Sequence, residues 1–394
     1  MHESIEPGGG AEILFLDHIK LLKKKGLVVN SLTFNREKKQ GHPDYMIKES
    51  NILLIRIFDK VLFNFRAYFK IKKIVRDFSP DLVHIFHNNL YPLPVLLAIP
   101  QNIPIIQSVN DYQLVCASVW GVYRDTGKEC NCGFSLASVK NKCIPLYRYL
   151  IFFLKNKFSR ALTKKRVALF LVSHSQLKRR MEKQGFSNIR IIPHFFQPLN
   201  RRGSLKESLR NNKILLFIGK LSMEKGCHIL IDALKIVNNK IPDIKLIIVG
   251  DGPEKINLVN QVFLLGLQKK IDFRGILKRQ QLPRLYIASL GLIVPSIWME
   301  NSGLVLIEAM YFGKPIIGSN IGGIPDLIKN NNNGLLFTPR SRIDLAKKIL
   351  TLVMDEKKRK KMNKLSKQYY IKYSPEVYFD NLISFYKDVI LNHG

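Results

Sequence analysis

The constraint that most limits how this chain can fold is a repeating alternation of short β-branched runs with helix-like segments, clearest from residue 214 onward. Ile214–Ile218, Lys245–Val249, Ile271–Phe273 and residues 290–294 are apolar runs too short for helices, and glycine, proline or charged turns close them. Helical spacing appears at 227–237 and 303–312, with a further strand at 315–317 and a turn at Gly322-Gly323. Parallel strands need a long crossover connection, so strands separated by helices imply a parallel sheet.

The N-terminal half follows the same plan. Residues 11–25 carry apolar side chains at helical spacing (Ile13, Leu14, Leu16, Ile19, Leu21, Leu22), and 53–78 reads as a second, basic helix. Residues 82–86, 103–109 and 167–172 read as buried strands. With 394 residues, 46% of them apolar, the chain is too long for one ordinary core, so two domains are expected. They are placed at 1–196 and 213–374, joined by a polar, basic linker at 197–212. Ser374-Pro375-Glu376 starts a last helix, 375–394, whose Tyr378, Leu382, Phe385 and Val389 form one apolar stripe.

Composition narrows the class. No apolar run reaches the roughly 18 residues needed to cross a bilayer, and MHESIEPGGG lacks signal-peptide regions, so a cytoplasmic location is expected. The formal charge of +33, from 63 Lys and Arg against 30 Asp and Glu, favours nucleic acid, anionic lipid or phosphorylated substrates as partners. No zinc finger, RNP-type motif or heptad-linked basic region is present, which argues against nucleic acid. Residues 147–154 are apolar and lead into Lys155, Lys157, Arg160, Lys164, Lys165 and Arg166. Such a segment suits either an anionic membrane surface or a buried helix with a solvated basic end. Cys116, Cys130, Cys132 and Cys143 lie close together, but one residue separates Cys130 from Cys132 where zinc pairs normally have two to four. Packed, reduced thiols are the expectation, and a zinc cluster is the competing reading.

In open α/β sheets ligands bind beyond the carboxyl ends of strands, which directs attention to the loops after Ile218, Val249 and Val294. The first contains Lys220 and Lys225, placed to neutralise a diphosphate. The third holds Glu300 and, eight residues on, Glu308 within a helix whose first N–H groups, from Gly303 and Leu304, offer an anion site. The plainer alternatives are a helix-capping role for Glu300 and an internal ion pair for Glu308.

The stretches GKLSMEKG, VGDGP, FRGILKRQQLPRLY, VPSIWMENSGLVLIEAMYFGKPIIGSNIGGIPDLI and NGLLF together resemble the nucleotide-binding domain of the family-4 retaining glycosyltransferases. Gly8-Gly-Gly-Ala-Glu12, Pro80-Asp-Leu-Val-His-Ile-Phe-His87 and Asn110-Asp-Tyr-Gln-Leu-Val-Cys116 resemble that family's acceptor domain. The resemblance implies a GT-B fold: two Rossmann-like doubly wound domains facing across a cleft, with the last helix packing back on the first domain. It also implies that Lys220 and Lys225 hold the donor diphosphate, Glu308 the ribose and Glu300 the donor sugar. Gly9, Gly10, Asn301, Ser302, Gly303 and Leu304 complete the donor site, and Ile276 meets the base. Glu300, Asp111 and His87 are the implied catalytic residues.

Three departures from the family pattern matter. Lysine at 220 replaces the usual arginine, turning a bidentate grip into a point charge. Asn110 stands where histidine is common, which passes any proton-handling role to Asp111 or His87. Residues 1–7 supply no apolar first strand. The expected function is metal-independent, retaining hexosyl transfer from a UDP- or GDP-sugar, with no cofactor. The acceptor is a glycan or lipid-linked glycan of cell-surface polysaccharide assembly, met at the inner face of the membrane. The alternative is a catalytically impaired nucleotide- or glycan-binding protein.

Overall fold

The computed structural model describes residues 10–35, 44–48, 63–86, 92–117, 121–123, 129–130, 132–198, 213–301 and 303–393. They fall into two compact units, one taking the described residues up to Pro193 together with 378–393, the other His194–Val377. The second unit takes in residues 375–377, the first turn of the last helix. Residues 199–212, most of the expected linker, lie outside the described residues, as do 1–9, on which the expectation of a missing first strand rests.

The second unit contains a six-stranded parallel sheet of strands β7 (Ile214–Ile218), β8 (Lys245–Val249), β9 (Ile271–Phe273), β10 (Gly291–Val294), β11 (Ile316–Ser319) and β12 (Gly334–Phe337). Their spatial order is β12-β11-β10-β7-β8-β9, the doubly wound dinucleotide-binding order, in which the chain reverses direction across the sheet between β7 and β10. The strands read as near-continuous apolar runs because helices cover both faces. Leu215, Leu246, Ile248, Ile293 and Ile317 share one core with Leu230, Ile231, Leu234 and Val237 of the Cys227–Asn238 helix. Each such side chain contributes about 1.5–3 kcal/mol on burial.

In the first unit, β3 (Val83–Ile85), β4 (Ile105–Val109), β5 (Val167–Val172) and β6 (Ile189–Ile191) form a four-stranded parallel sheet in sequence order, and β1 (Leu32–Asn35) pairs with β2 (Tyr45–Lys48) in a separate parallel pair. Beside β3 lies an apolar cavity of about 430 Å³, lined among others by Phe15, Leu22, Leu32, Tyr45 and Val83. The helix expected over 53–78 is observed only as Phe65–Phe78. Asn64 stops it from extending upstream, because its side chain accepts a hydrogen bond from the Ala67 N–H (2.7 Å) in a non-helical N-cap conformation. Residues 51–62 lie outside the described residues. β4 begins at Ile105 rather than 103, since Pro104 has no N–H for the ladder.

The Pro375–Leu391 helix buries Tyr378, Phe379 and Leu382 in the first unit. There Tyr386 meets a histidine pair. Its hydroxyl is hydrogen-bonded to His84 Nδ1 (2.6 Å), whose Nε2 reaches Ser108 Oγ (2.8 Å), and the His18 ring lies 5.5 Å from that of His84. Phe86, Tyr378 and Phe379 surround His18.

Burial holds His18 down to about 3 and His84 well below the ordinary 6.5. Between those values the unfolded chain binds protons that the folded one does not, so stability falls as pH falls. The cost is up to about 1.4 kcal/mol per pH unit per histidine. Thermal unfolding followed from about pH 7 to about pH 5 should show a falling Tm, with a shallower slope in His18→Gln. An unchanged slope in the variant would remove His18 from this account.

Candidate functional site

The loops that leave β7, β8 and β10 at their carboxyl ends are locked together by backbone contacts that tolerate no side chain. Gly226 (φ +68°) lies so close to the loop after β10 that a Cβ there would sit 2.0 Å from the Pro295 carbonyl oxygen. A Cβ on Gly250 would stand 1.9 Å from the Gly219 oxygen, and one on Gly252 2.4 Å from that of Leu221. Hydrogen bonds follow the same seams: Ile297 N–H donates to the Glu224 carbonyl (2.9 Å), and Leu221 N–H to that of Asp251 (2.9 Å). After β11, Gly322 packs against the Glu300 backbone, and Gly323 N–H donates to the Glu300 carbonyl (2.7 Å). Gly226, Gly250, Gly252 and Gly322 are thus required where loops cross.

Within this frame Lys225, in a short 3₁₀ turn before the Cys227–Asn238 helix, donates from Nζ to Glu300 Oε1 (2.7 Å). Ser296 Oγ donates to the same oxygen (2.7 Å), and the ammonium lies 4.9 Å from the centre of the Trp298 ring. Burial opposes ionisation of Glu300, but the Lys225 charge and the hydrogen bonds around it outweigh burial and hold the carboxyl below its usual range. The helix-capping alternative fails because this carboxylate points to Lys225 and Ser296.

The Leu304–Tyr311 helix begins at N-cap Gly303, which has no capping side chain; Leu306 N–H donates to the Gly303 carbonyl (2.9 Å), and the Leu304 and Val305 N–H groups, which precede any intrahelical acceptor, carry the positive pole. Glu308, one turn further, is buried, and its Oε2 accepts from the Tyr286 hydroxyl (2.9 Å). Burial raises the Glu308 pKa, and the Tyr286 hydrogen bond and the Arg279 charge offset this only in part. The two carboxyls are therefore driven in opposite directions. Tyr286 stacks on Phe312 at 5.1 Å between ring centres.

Of the residues expected in the donor site, Lys225, Glu300, Asn301, Gly303, Leu304 and Glu308 share this pair of loops and helix start. Lys220 is exposed at the end of the β7 loop, and Ile276, after positive-φ Gly275, is 82% exposed. Gly10 opens the Gly10–Lys24 helix. Asp111 Oδ1 accepts from the Gln113 N–H (2.8 Å), and Asn110 donates to the Phe86 carbonyl (2.7 Å). Gly9, His87 and Ser302 lie outside the described residues. Sequence reasoning missed Ser296 and Tyr286. Ser296 was legible as the hydroxyl four residues before Glu300, whereas Tyr286 is 22 residues from Glu308 and only the fold joins them. It also missed His174, a buried N-cap whose Nε2 lies 3.2 Å from the Tyr112 hydroxyl.

Two units of parallel α/β structure, one with the dinucleotide-binding strand order, define a GT-B architecture. Solved structures agree in fold. Anabaena Alr3699/HepE in complex with UDP matches with a TM-score of 0.71 over 98% of both chains at 19% identity. Sucrose-phosphate synthase of Thermosynechococcus elongatus matches with a TM-score of 0.72 over 99% of this chain and 96% of that one, at 17% identity. The family model for glycosyl transferases group 1 matches residues 203–369, and that for glycosyltransferase family 4 matches residues 8–198. The chain belongs to the group 1 glycosyltransferases, a family of transferase enzymes.

Among curated relatives, spore coat protein SA of Bacillus subtilis is 34% identical over 41% of this chain and 44% of its own length. The UDP-Gal:alpha-D-GlcNAc-diphosphoundecaprenol alpha-1,3-galactosyltransferase of Escherichia coli is 30% identical over 57% of this chain and 59% of its own. The chain thus spans about half the length of the curated relatives it matches.

A buried carboxylate stripped of its cation is strongly destabilising, whereas removing both partners is not. Lys225→Met should therefore cost about 3 kcal/mol in urea unfolding at neutral pH, and Lys225→Met with Glu300→Gln should recover most of it. Equal losses in the single and double variants would show that the pair does not hold the two loops.

Proposed function

We propose that the chain transfers a hexosyl group from a UDP- or GDP-sugar to a glycan or lipid-linked acceptor, with retention of anomeric configuration. The observation that carries the reading is the pairing of half-buried Lys225 with buried Glu300 beside an uncapped helix start at the reversal point of the sheet. In this reading the donor diphosphate lies against the first-turn N–H groups of the Leu304–Tyr311 helix, with Lys225 and Lys220 supplying positive charge. Glu308 accepts from ribose hydroxyls, and Glu300, kept ionised, accepts from hydroxyls of the donor sugar. Asn301, Gly303 and Leu304 line the phosphates, and Ile276 faces the base.

The bond from the anomeric carbon to the diphosphate oxygen breaks as the acceptor oxygen attacks from the same face, and the acceptor proton passes to the departing phosphate. Charge develops on the diphosphate, where preorganised donors count most, so protein groups take the part a divalent cation would otherwise play. Asp111 and His87 position the acceptor. The Escherichia coli relative's UDP-galactose donor and diphosphoundecaprenol-linked acceptor support a UDP-sugar and a lipid-linked glycan.

A membrane-surface location has its own support. Along the Leu146–Arg166 helix, Leu146, Tyr147, Leu150, Ile151 and Phe158 are exposed on a segment whose last turn is Lys164, Lys165 and Arg166. Among the described residues no helix is long and apolar enough to cross a membrane. Apolar side chains flanked by cations suit the interface of an anionic bilayer, in the cell-surface polysaccharide setting such acceptors imply.

Thermal stabilisation by UDP, GDP and their sugars, measured beside transfer and donor hydrolysis without added divalent metal, tests the donor reading. One nucleotide series should raise Tm, Lys225→Ala should weaken that shift, and Glu300→Gln should lower turnover by about 10²-fold. No shift with any nucleotide would sink the donor site; binding without turnover would favour the impaired binding protein. Sedimentation with anionic vesicles should pull down the wild type and lose Leu150→Glu/Ile151→Glu, and equal recovery of both would overturn membrane contact.

A further inference from the structure

Among the described residues between Asn110 and Cys143, turns bring cysteine sulfurs together in the first unit. Cys116 N–H donates to the Tyr112 carbonyl (2.7 Å), and the next residue, Ala117, donates to Gly133 beside Cys132 (3.3 Å). Cys130 N–H donates to Gly121 (3.0 Å), where Val122 and Glu129 form an antiparallel bridge. Past the Ala137–Lys140 turn of helix and left-handed Lys142, Cys143 N–H donates to Ser138 (2.8 Å).

Separate turns thus aim the sulfurs of Cys130, Cys132 and Cys143 at one point, all within 4.8 Å of one another. Cys130 and Cys143 are 3.9 Å apart, and Cys116, outside that group of three, is buried beside Cys130. Four thiolates held tetrahedrally at about 2.3 Å from a zinc ion stand about 3.8 Å from one another, which the Cys130–Cys143 separation matches. A disulfide requires about 2.05 Å, and a polynuclear iron–sulfur cluster needs its ligands spread around several irons.

The surroundings suit a thiolate-bound cation. Asn141 Nδ2 donates to Cys132 Sγ (3.3 Å), and the Tyr123 hydroxyl lies 3.3 Å from the same sulfur. Such contacts orient ligands around a metal. Arg180, 5% exposed, donates through Nη2 to the carbonyls of Cys130 and Gly121 and through Nε to Glu129, and its Nη1 is buried without a partner among the described residues. A divalent ion with four thiolates carries net negative charge, which this guanidinium offsets. The single residue between Cys130 and Cys132 had counted against metal, but the convergence of sulfurs from several turns removes that objection.

We propose that Cys116, Cys130, Cys132 and Cys143 bind one structural zinc ion that pins the 110–143 segment to the first unit. Softness favours zinc for an all-thiolate tetrahedral site.

Metal analysis of the full chain, purified without chelator, should find about one zinc per chain. Cobalt exchanged into the wild type should give the intense visible bands and thiolate charge-transfer absorption of a tetrahedral sulfur site. Cys130→Ser and Cys143→Ser should lower zinc content at least about tenfold. Cys227→Ser, in the core of the other unit, should leave it unchanged. A wild type that carries no zinc and takes up no cobalt would overturn the proposal, as would an intact mass short of two hydrogens with a Cys130–Cys143 crosslink. Wild-type zinc content and the cobalt spectrum decide the matter even where a serine variant fails to fold.

Discussion

A carboxylate buried in a protein interior stays ionised only if a cation and hydrogen-bond donors replace the water it has lost. Glu300 is such a group, and Lys225 is its cation. Lys225 leaves the end of β7 and Glu300 the end of β10, the two strands between which the sheet reverses direction. The ion pair therefore closes the crevice that the doubly wound topology opens. Around it, Gly226 and Gly322 let backbones approach where no Cβ fits, and Ser296 saturates the carboxylate. Loosening this pair would free both loops and strand a buried charge.

Glu308 shows how the same small region produces the opposite electrostatic result. It lies inside the helix rather than in the loop, its hydrogen bond comes from a neutral tyrosine, and Arg279 is its charged neighbour, so burial prevails. The same logic recurs in the first unit, where His18 and His84 are held neutral by burial against Tyr386 and a cage of aromatic rings. In a chain of such positive net charge, these few buried groups, rather than the many surface lysines, distinguish one region from another.

The fold was legible where short apolar runs are bounded by clear turn residues. β5, β7, β8 and β9 have the bounds that their apolar runs predict, because Val, Ile, Leu and Phe bounded by turn residues leave little alternative. β1, β2, β6 and β12 were missed, since LTFN, YMIK, IRI and GLLF are short and gain their identity from neighbours. The apolar spacing over 53–78 reads as one helix, but the Asn64 side chain caps a helix that starts at Phe65 rather than continuing one through it.

By itself the sequence determined the alternating α/β plan, the loops that carry Lys225, Glu300 and Glu308, and the cysteines that lie near one another, because periodicity and turn chemistry are local. Only tertiary structure decided that Lys225 and Glu300, 75 residues apart, share an ion pair, that Tyr286 rather than a cation donates to Glu308, and that separate turns aim their sulfurs at one point. Partners and protonation are set by distance and burial, and these exist only once the chain has folded.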